Sequence, residues 1–303
     1  MRGLVSSHTL RVVIAHAICA CVTLAAVASA KAQDAAITLA IRQATAASLA
    51  KKYDLAIEIY SGALRIDDLS PSERRDLLRR RALENESANK QVESEADWKA
   101  AIAVEPVDPM LFYKRGAYYQ RVNRYDDALA DFAHGKTLDS NEAWFFFGEG
   151  EIRSARGEHQ LAIDAYNEAI RLNPGIIRFY PARASAYNYE QMHAEARADY
   201  EKVLANYENR GSATYVFSER QIGLAYLGRG YAHNHLKDYQ RAKDDFDKVL
   251  AIVPRSGNAL KWRGMALEHL REPERALADY RAALAILKKE DWVSERVRLL
   301  EGR

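Results

Sequence analysis

Residues 125–140 read YDDALADFAHGKTLDS, 160–174 read QLAIDAYNEAIRLNP, 239–254 read YQRAKDDFDKVLAIVP and 274–287 read ERALADYRAALAIL. The four stretches share one grammar. A small residue is followed four positions later by a ring: Ala128 by Phe132, Ala162 by Tyr166, Ala242 by Phe246, Ala276 by Tyr280. Three positions beyond the ring stands another small or branched residue, then an apolar tail. Spacings of three and four place all of these on one helix face. Twelve positions upstream of the first small residue stands a second: Gly116, Gly150, Ala184, Gly230 and Gly264 precede Ala128, Ala162, Ala196, Ala242 and Ala276. A fixed pair of small residues predicts a helix hairpin whose axes cross closely, because a larger side chain there forces the axes apart.

This grammar resembles the tetratricopeptide repeat, a 34-residue unit with small residues at positions 8, 20 and 27, an aromatic at 24 and proline at 32. Units are expected at 109–142, 143–176, 177–210, 223–256 and 257–290, preceded by two looser ones at 37–70 and 75–108. The second of these has Ser94 where alanine is usual. The resemblance implies an all-α, right-handed superhelical solenoid of about seven helix-turn-helix repeats over 33–303. The rings Tyr60, Trp98, Phe132, Tyr166, Tyr200, Phe246 and Tyr280 are expected in its core. Pro106, Pro174 and Pro254 are expected to stop the second helix of their units.

Two segments depart from the period. An insertion at 211–222 follows a helix stop at Asn209, Arg210 and Gly211, and Ser212 is the expected N-cap of a lengthened next helix. Its apolar Tyr215, Val216 and Phe217 need cover, from the neighbouring hairpin or from a partner or second copy. Residues 291–303 (DWVSERVRLLEGR) space Trp292, Val293, Arg296, Leu299 and Leu300 as an amphipathic capping helix.

The first 32 residues read as a secretory signal. Arg2 and Arg11 precede an uncharged run, Val12 to Ala30, and small residues at Ala28 and Ala30, or Ala30 and Ala32, fit cleavage before Lys31 or Gln33. The expected location is periplasmic or secreted; the alternatives are anchorage by residues 12–30 if cleavage fails, or a lipid at Cys21. Both cysteines, Cys19 and Cys21, lie in this leader, so the remaining chain has no thiol for a disulfide or metal. Removing the leader cations Arg2, Arg11 and Lys31 leaves 41 basic residues against 42 acidic. A polyanion binder needs a basic excess, so nucleic acid is not an expected partner.

No catalytic constellation assembles, and no cofactor or metal is expected. His233 and His235 point to different helix faces, and no H-E-x-x-H occurs. Gly148, Gly150 and Gly157 lack the preceding strand of a phosphate loop. His159 and His193 occupy the position held elsewhere by Tyr53, Tyr125 and Tyr239, and read as turn-packing residues. The resemblance instead implies a concave wall built from the first helix of each unit, holding a protein or peptide segment. Its candidate residues are Arg79, Tyr113, Lys114, Trp144, Phe147, Arg178, Tyr189, Tyr231, Lys261 and Trp262. Replacing Trp144 and Phe147 is expected to weaken capture without changing melting behaviour. The clamp by which some members bind chaperone tails is unmatched, since its positions hold Tyr113, Ala117, Gly148, Arg178 and Ala182. A second expectation is self-association through the insertion or the cap.

Overall fold

The computed structural model describes residues 32–209 and 217–302. The leader lies outside them apart from Ala32, as do Ser212, Tyr215 and Val216. Among the described residues every regular element is an α-helix, as the spacing predicts. None is long and apolar enough to cross a membrane. The chain clusters into two compact units that divide at Tyr118 and Tyr119.

The first unit contains α1 (32–49), α2 (Tyr53–Ala63), α3 (Pro71–Ser87), α4 (Gln91–Val104) and most of α5 (Pro109–Arg121). Ser70 caps α3 in a reciprocal capping box with Glu73, and Pro71 supplies its first residue. Ala44, Ala56 and Ala82 are fully buried at the predicted close positions. Ser94 is tolerated there because its hydroxyl donates to the Ala82 carbonyl at 3.1 Å. Trp98 is fully buried and donates its indole N–H to Glu86 at 2.9 Å.

The second unit contains α6 (Tyr125–Leu138), α7 (Ala143–Ala155), α8 (His159–Leu172), α9 (Phe179–Tyr189) and α10 (His193–Glu208). It continues with α11 (Glu219–His235), α12 (Tyr239–Ile252), α13 (Gly257–His269), α14 (Pro273–Leu287) and α15 (Asp291–Glu301). The repeated rings lie on the small residues of their own hairpins: a Cβ added at Gly150 would stand 2.5 Å from the Tyr166 ring. That contact explains why glycine recurs twelve positions before the second helix's alanine.

Each hairpin turns on one residue with positive φ: Lys51, Asn89, Asn123, Gly157, Gln191, Lys237 or Arg271, with φ from 57 to 76°. The next N–H then reaches back to a carbonyl five residues earlier, as from Glu158 to Arg153 and from Asp238 to His233, both at 2.9 Å. This is the helix stop in which an αL residue satisfies orphan carbonyls.

A second stitch was not anticipated from the sequence. Bidentate guanidinium–carboxylate pairs recur at a spacing of sixteen: Arg81 with Asp97 in the first unit, and Arg183 with Asp199, Arg229 with Asp245 and Arg263 with Asp279 in the second. Arg183 also donates to Asn167 at 2.7 Å and Arg263 to Asp247 at 2.6 Å, so each ties its hairpin to the one before.

The insertion differs from expectation in its cap. α11 is lengthened, at 17 residues against 13 for α7, but its N-cap is Ser218 rather than Ser212. Ser218 has Gln221 three residues on and completes a capping box with it. Phe217 and Ile222 flank that cap and are both buried in the apolar cluster of α7–α13, the arrangement of a hydrophobic staple. Phe217 is therefore covered by its own chain. At the other end, α15 buries Val293 and Leu300 against Leu267 and Tyr280, and Arg296 pairs with Glu268. Trp292 and Leu299 of this helix remain 42% exposed, so only part of its apolar set caps the core.

Candidate binding groove

In the second unit α7, α9, α11 and α13 line a groove of about 1060 Å³. Of the residues proposed from sequence, Phe147, Arg178, Tyr189, Tyr231 and Trp262 lie on its wall. Trp144 stands beside it, edge-on to Phe147 and Phe179 at ring separations of 5.8 and 5.0 Å. Lys261 is drawn into an ion pair with Glu290 at 3.1 Å and lies over the Trp262 ring. Arg79, Tyr113 and Lys114 belong to the first unit and do not line this groove. Arg79 pairs there with Asp76 at 2.5 Å, and the Lys114 ammonium lies 5.5 Å from the Tyr113 ring centroid.

Phe147 requires a correction. It is only 2% exposed and stacks on Phe179 at 4.8 Å, so it supports the groove from within the core. Its removal leaves a cavity and does not spare stability.

One end of the groove carries charge. Arg178 precedes α9, is solvent-exposed, and spreads over the rings of Trp144 and Phe147, each 5.6 Å from the guanidinium carbon. Among the described residues no carboxylate lies within 4.0 Å of it. Burial raises the Glu151 carboxyl above its usual range, opposed by a hydrogen bond from Gln120 at 3.3 Å and by the charge of Arg178. Glu151 is half-buried and held by Gln120, whereas Arg178 stands open to solvent at the same end.

Stacked rings mark three successive junctions between hairpins, and Tyr189, His193 and His235 among them line the groove. His159 stacks on Tyr189 at 4.3 Å, His193 on His235 at 4.4 Å and Tyr239 on His269 at 4.2 Å. The histidines read as turn-packing residues thus pack across junctions. Tyr231 and Trp262 adjoin the central pair, with their own rings edge-on at 5.0 Å.

Asn188 bonds across one of these junctions. Its amide N–H donates to the Gly228 carbonyl at 2.9 Å, and Asn234 repeats this bond to the Trp262 carbonyl at 2.8 Å. Gly228 is required beneath it, since a Cβ there would meet the Tyr200 ring at 2.3 Å. Both amides are spent on the backbone of the next hairpin, a contact that nothing local in the sequence marks. Among the described residues no cluster of three metal-ligating side chains occurs.

Comparison with known proteins gives the same fold. Residues 113–176 and 237–291 match the tetratricopeptide repeat family model. Human tetratricopeptide repeat protein 16 is similar at 25% identity over 178 residues, which cover 54% of this chain and 20% of that protein. The chain thus spans about a fifth of that relative's length. Among solved structures, PilF of Pseudomonas aeruginosa superposes with a TM-score of 0.61 at 16% identity, covering 76% of this chain and 98% of its own. YrrB, described as a TPR protein with an unusual peptide-binding site, gives 0.56 at 16% identity, covering 65% and 96%. The repeat model thus matches two stretches of the chain, and the structural likenesses show the same fold of helix hairpins.

Proposed function

We propose that this protein is a non-catalytic scaffold that holds an extended segment of a partner protein in the groove of its second unit. The observation that carries the reading is Arg178: an exposed guanidinium laid over two rings, with no carboxylate within 4.0 Å among the described residues, at the mouth of an aromatic groove. Flat apolar anchors beside an exposed cation are what a peptide bearing carboxylates needs. A peptide site in a protein of this fold, YrrB, supports the reading. The leader motivates the further proposal that binding takes place in the periplasm or outside the cell.

Photo-crosslinkers placed at Tyr189 and Leu224 test the groove. Arg178→Glu and Tyr231→Ala are expected to abolish the crosslinked partners while circular dichroism stays unchanged. Equal recovery of the same partners by all three forms refutes the groove reading.

A second reading rests on the cap, where Trp292 and Leu299 stand 42% exposed. Exposed apolar side chains on a terminal helix suit self-association. A single monomeric mass at all concentrations in analytical ultracentrifugation removes it.

A further inference from the structure

The junction stacks are alike in geometry but not in chemistry. His159 meets a tyrosine and so does His269, whereas at the central junction His193 meets His235. Packing alone asks only for a flat ring there, as the two flanking junctions show. A second imidazole adds titration. The central pair is also the one whose two members both line the groove.

Hydrogen bonding fixes which nitrogen of His193 is available. The Gly228 carbonyl can only accept, so the Asn188 atom 2.9 Å from it is the amide nitrogen. The Asn188 oxygen therefore faces His193 Nδ1 at 3.2 Å, and Nδ1 carries the proton. Nε2 is left as a bare acceptor with no hydrogen-bond partner among the described residues. Neutral His193 offers an anion only a lone pair; protonated, it offers an N–H.

We propose that the His193–His235 pair is a proton-linked receptor for a carboxylate side chain of the segment held in the groove. This rests on the groove reading above.

The surroundings leave that charge to be supplied by the partner. Burial depresses the pKa of both rings, and the charge of His235 depresses that of His193 further. Tyr231 faces the pair from α11 and is kept neutral, its pKa raised first by burial and then by Tyr189 of α9. From α13 comes Trp262, whose neighbour Lys261 is already paired with Glu290. Glu190 and Glu195 flank His193 in the chain, and Lys237 and Asp238 follow His235. No carboxylate lies within 4.0 Å of either imidazole among the described residues. The other charged residues of the groove lining are Arg178, exposed over its two rings, and Glu151, half-buried and held by Gln120, so the cation open to a bound segment meets an acidic one.

The sign follows from linkage. A bound carboxylate raises the depressed pKa, so binding takes up a proton. Affinity then rises as pH falls from the bound-state pKa to the free-state one, which lies below the ordinary imidazole value.

The test uses the purified protein and fluorescent peptides of leucine and phenylalanine interspersed with glutamate, with glutamine in place of glutamate, or with lysine. Glutamate stays largely ionised at pH 5.5, so its own titration contributes little. The glutamate peptide is expected to bind about tenfold more tightly at pH 5.5 than at pH 7.5, within the limit set by one proton per complex. The glutamine peptide is expected to bind with little pH dependence. His193→Gln with His235→Phe, which preserves a planar group and a ring, is expected to lose the gain in acid. A glutamate peptide with flat or falling affinity in acid, or a gain that survives the double substitution, overturns the proposal while glutamine-peptide binding leaves the groove intact. Failure of all three peptides to bind at either pH overturns both readings.

Discussion

The hairpins α7–α8 and α11–α12 share one backbone plan and hold it by different means. In α11–α12, Arg229 chelates Asp245 with two bonds of 2.9 and 2.7 Å. The corresponding residues of α7–α8 are Glu149 and Ala165, so that pair is absent; Glu149 bonds Lys136 instead, at 2.7 Å. What α7 has in place of the chelate is rings: Phe145 and Phe147 are buried, and Trp144 packs on Phe147 and Phe179. The turns differ too, with Gly157 in one and Lys237 in the other at positive φ. A repeat frame therefore requires a filled crossing and a closed turn, not one chemistry for either.

The largest expected effect lies in the aromatic hairpin. Phe147→Ala deletes a buried stacked ring and should cost about 3–5 kcal/mol, read from the urea midpoint. A loss under about 1 kcal/mol would mean that the rings do not replace the ion pair. In the ionic hairpin, Asp245→Ala strands a mostly buried guanidinium and should cost about 3 kcal/mol, whereas Asp245→Ala combined with Arg229→Met should recover most of it. Without recovery in the double variant, the pair does more than neutralise itself.

A smaller loss is expected in acid. His233 of α11 is 2% exposed and its pKa is depressed by burial, against the opposing charges of Asp245 and Asp238. A histidine with a folded pKa below its unfolded one binds its proton more readily when unfolded. Stability is therefore retained above about pH 6.5 and declines as pH falls toward the folded value. Unfolding free energies at several pH values should show this slope, reduced in His233→Gln.

The smallest effects come from the turns. Lys237→Gly should stabilise and Gly157→Lys destabilise, each by about 1 kcal/mol, because only glycine enters the left-handed region without a Cβ penalty. Thermal melts of the two variants moving in the same direction would break the comparison.

Much of this was legible in the chain. Helix pairing came from small residues at fixed offsets and rings one turn away, since helical periodicity is a local property that repeats with the sequence. Tyr166, Phe246 and Tyr280 could be assigned to the core on that basis alone. The arginine–aspartate pairs were visible as a spacing of sixteen, but nothing local marks that offset as a contact; it becomes one only when two helices fold back on each other. The cap of α11 was misassigned for a related reason: Ser212 and Ser218 are both capping residues, and burial of Phe217 and Ile222 selects the second.

The groove shows where sequence stopped. It placed Phe147, Arg178, Tyr189, Tyr231 and Trp262 on one wall, because first-helix positions recur with the unit. Which of them meets solvent depends on rings from neighbouring hairpins: Phe179 covers Phe147, while Arg178 beside it stays exposed. Likewise, sequence put His193 at a turn, but only the packed junction set it against His235 and gave its Nδ1 proton to Asn188. The sequence by itself determined the hairpins, through contacts within about one helical turn. Tertiary structure decided exposure, ring stacking and tautomer, because each depends on side chains that meet only after hairpins distant in the chain have packed.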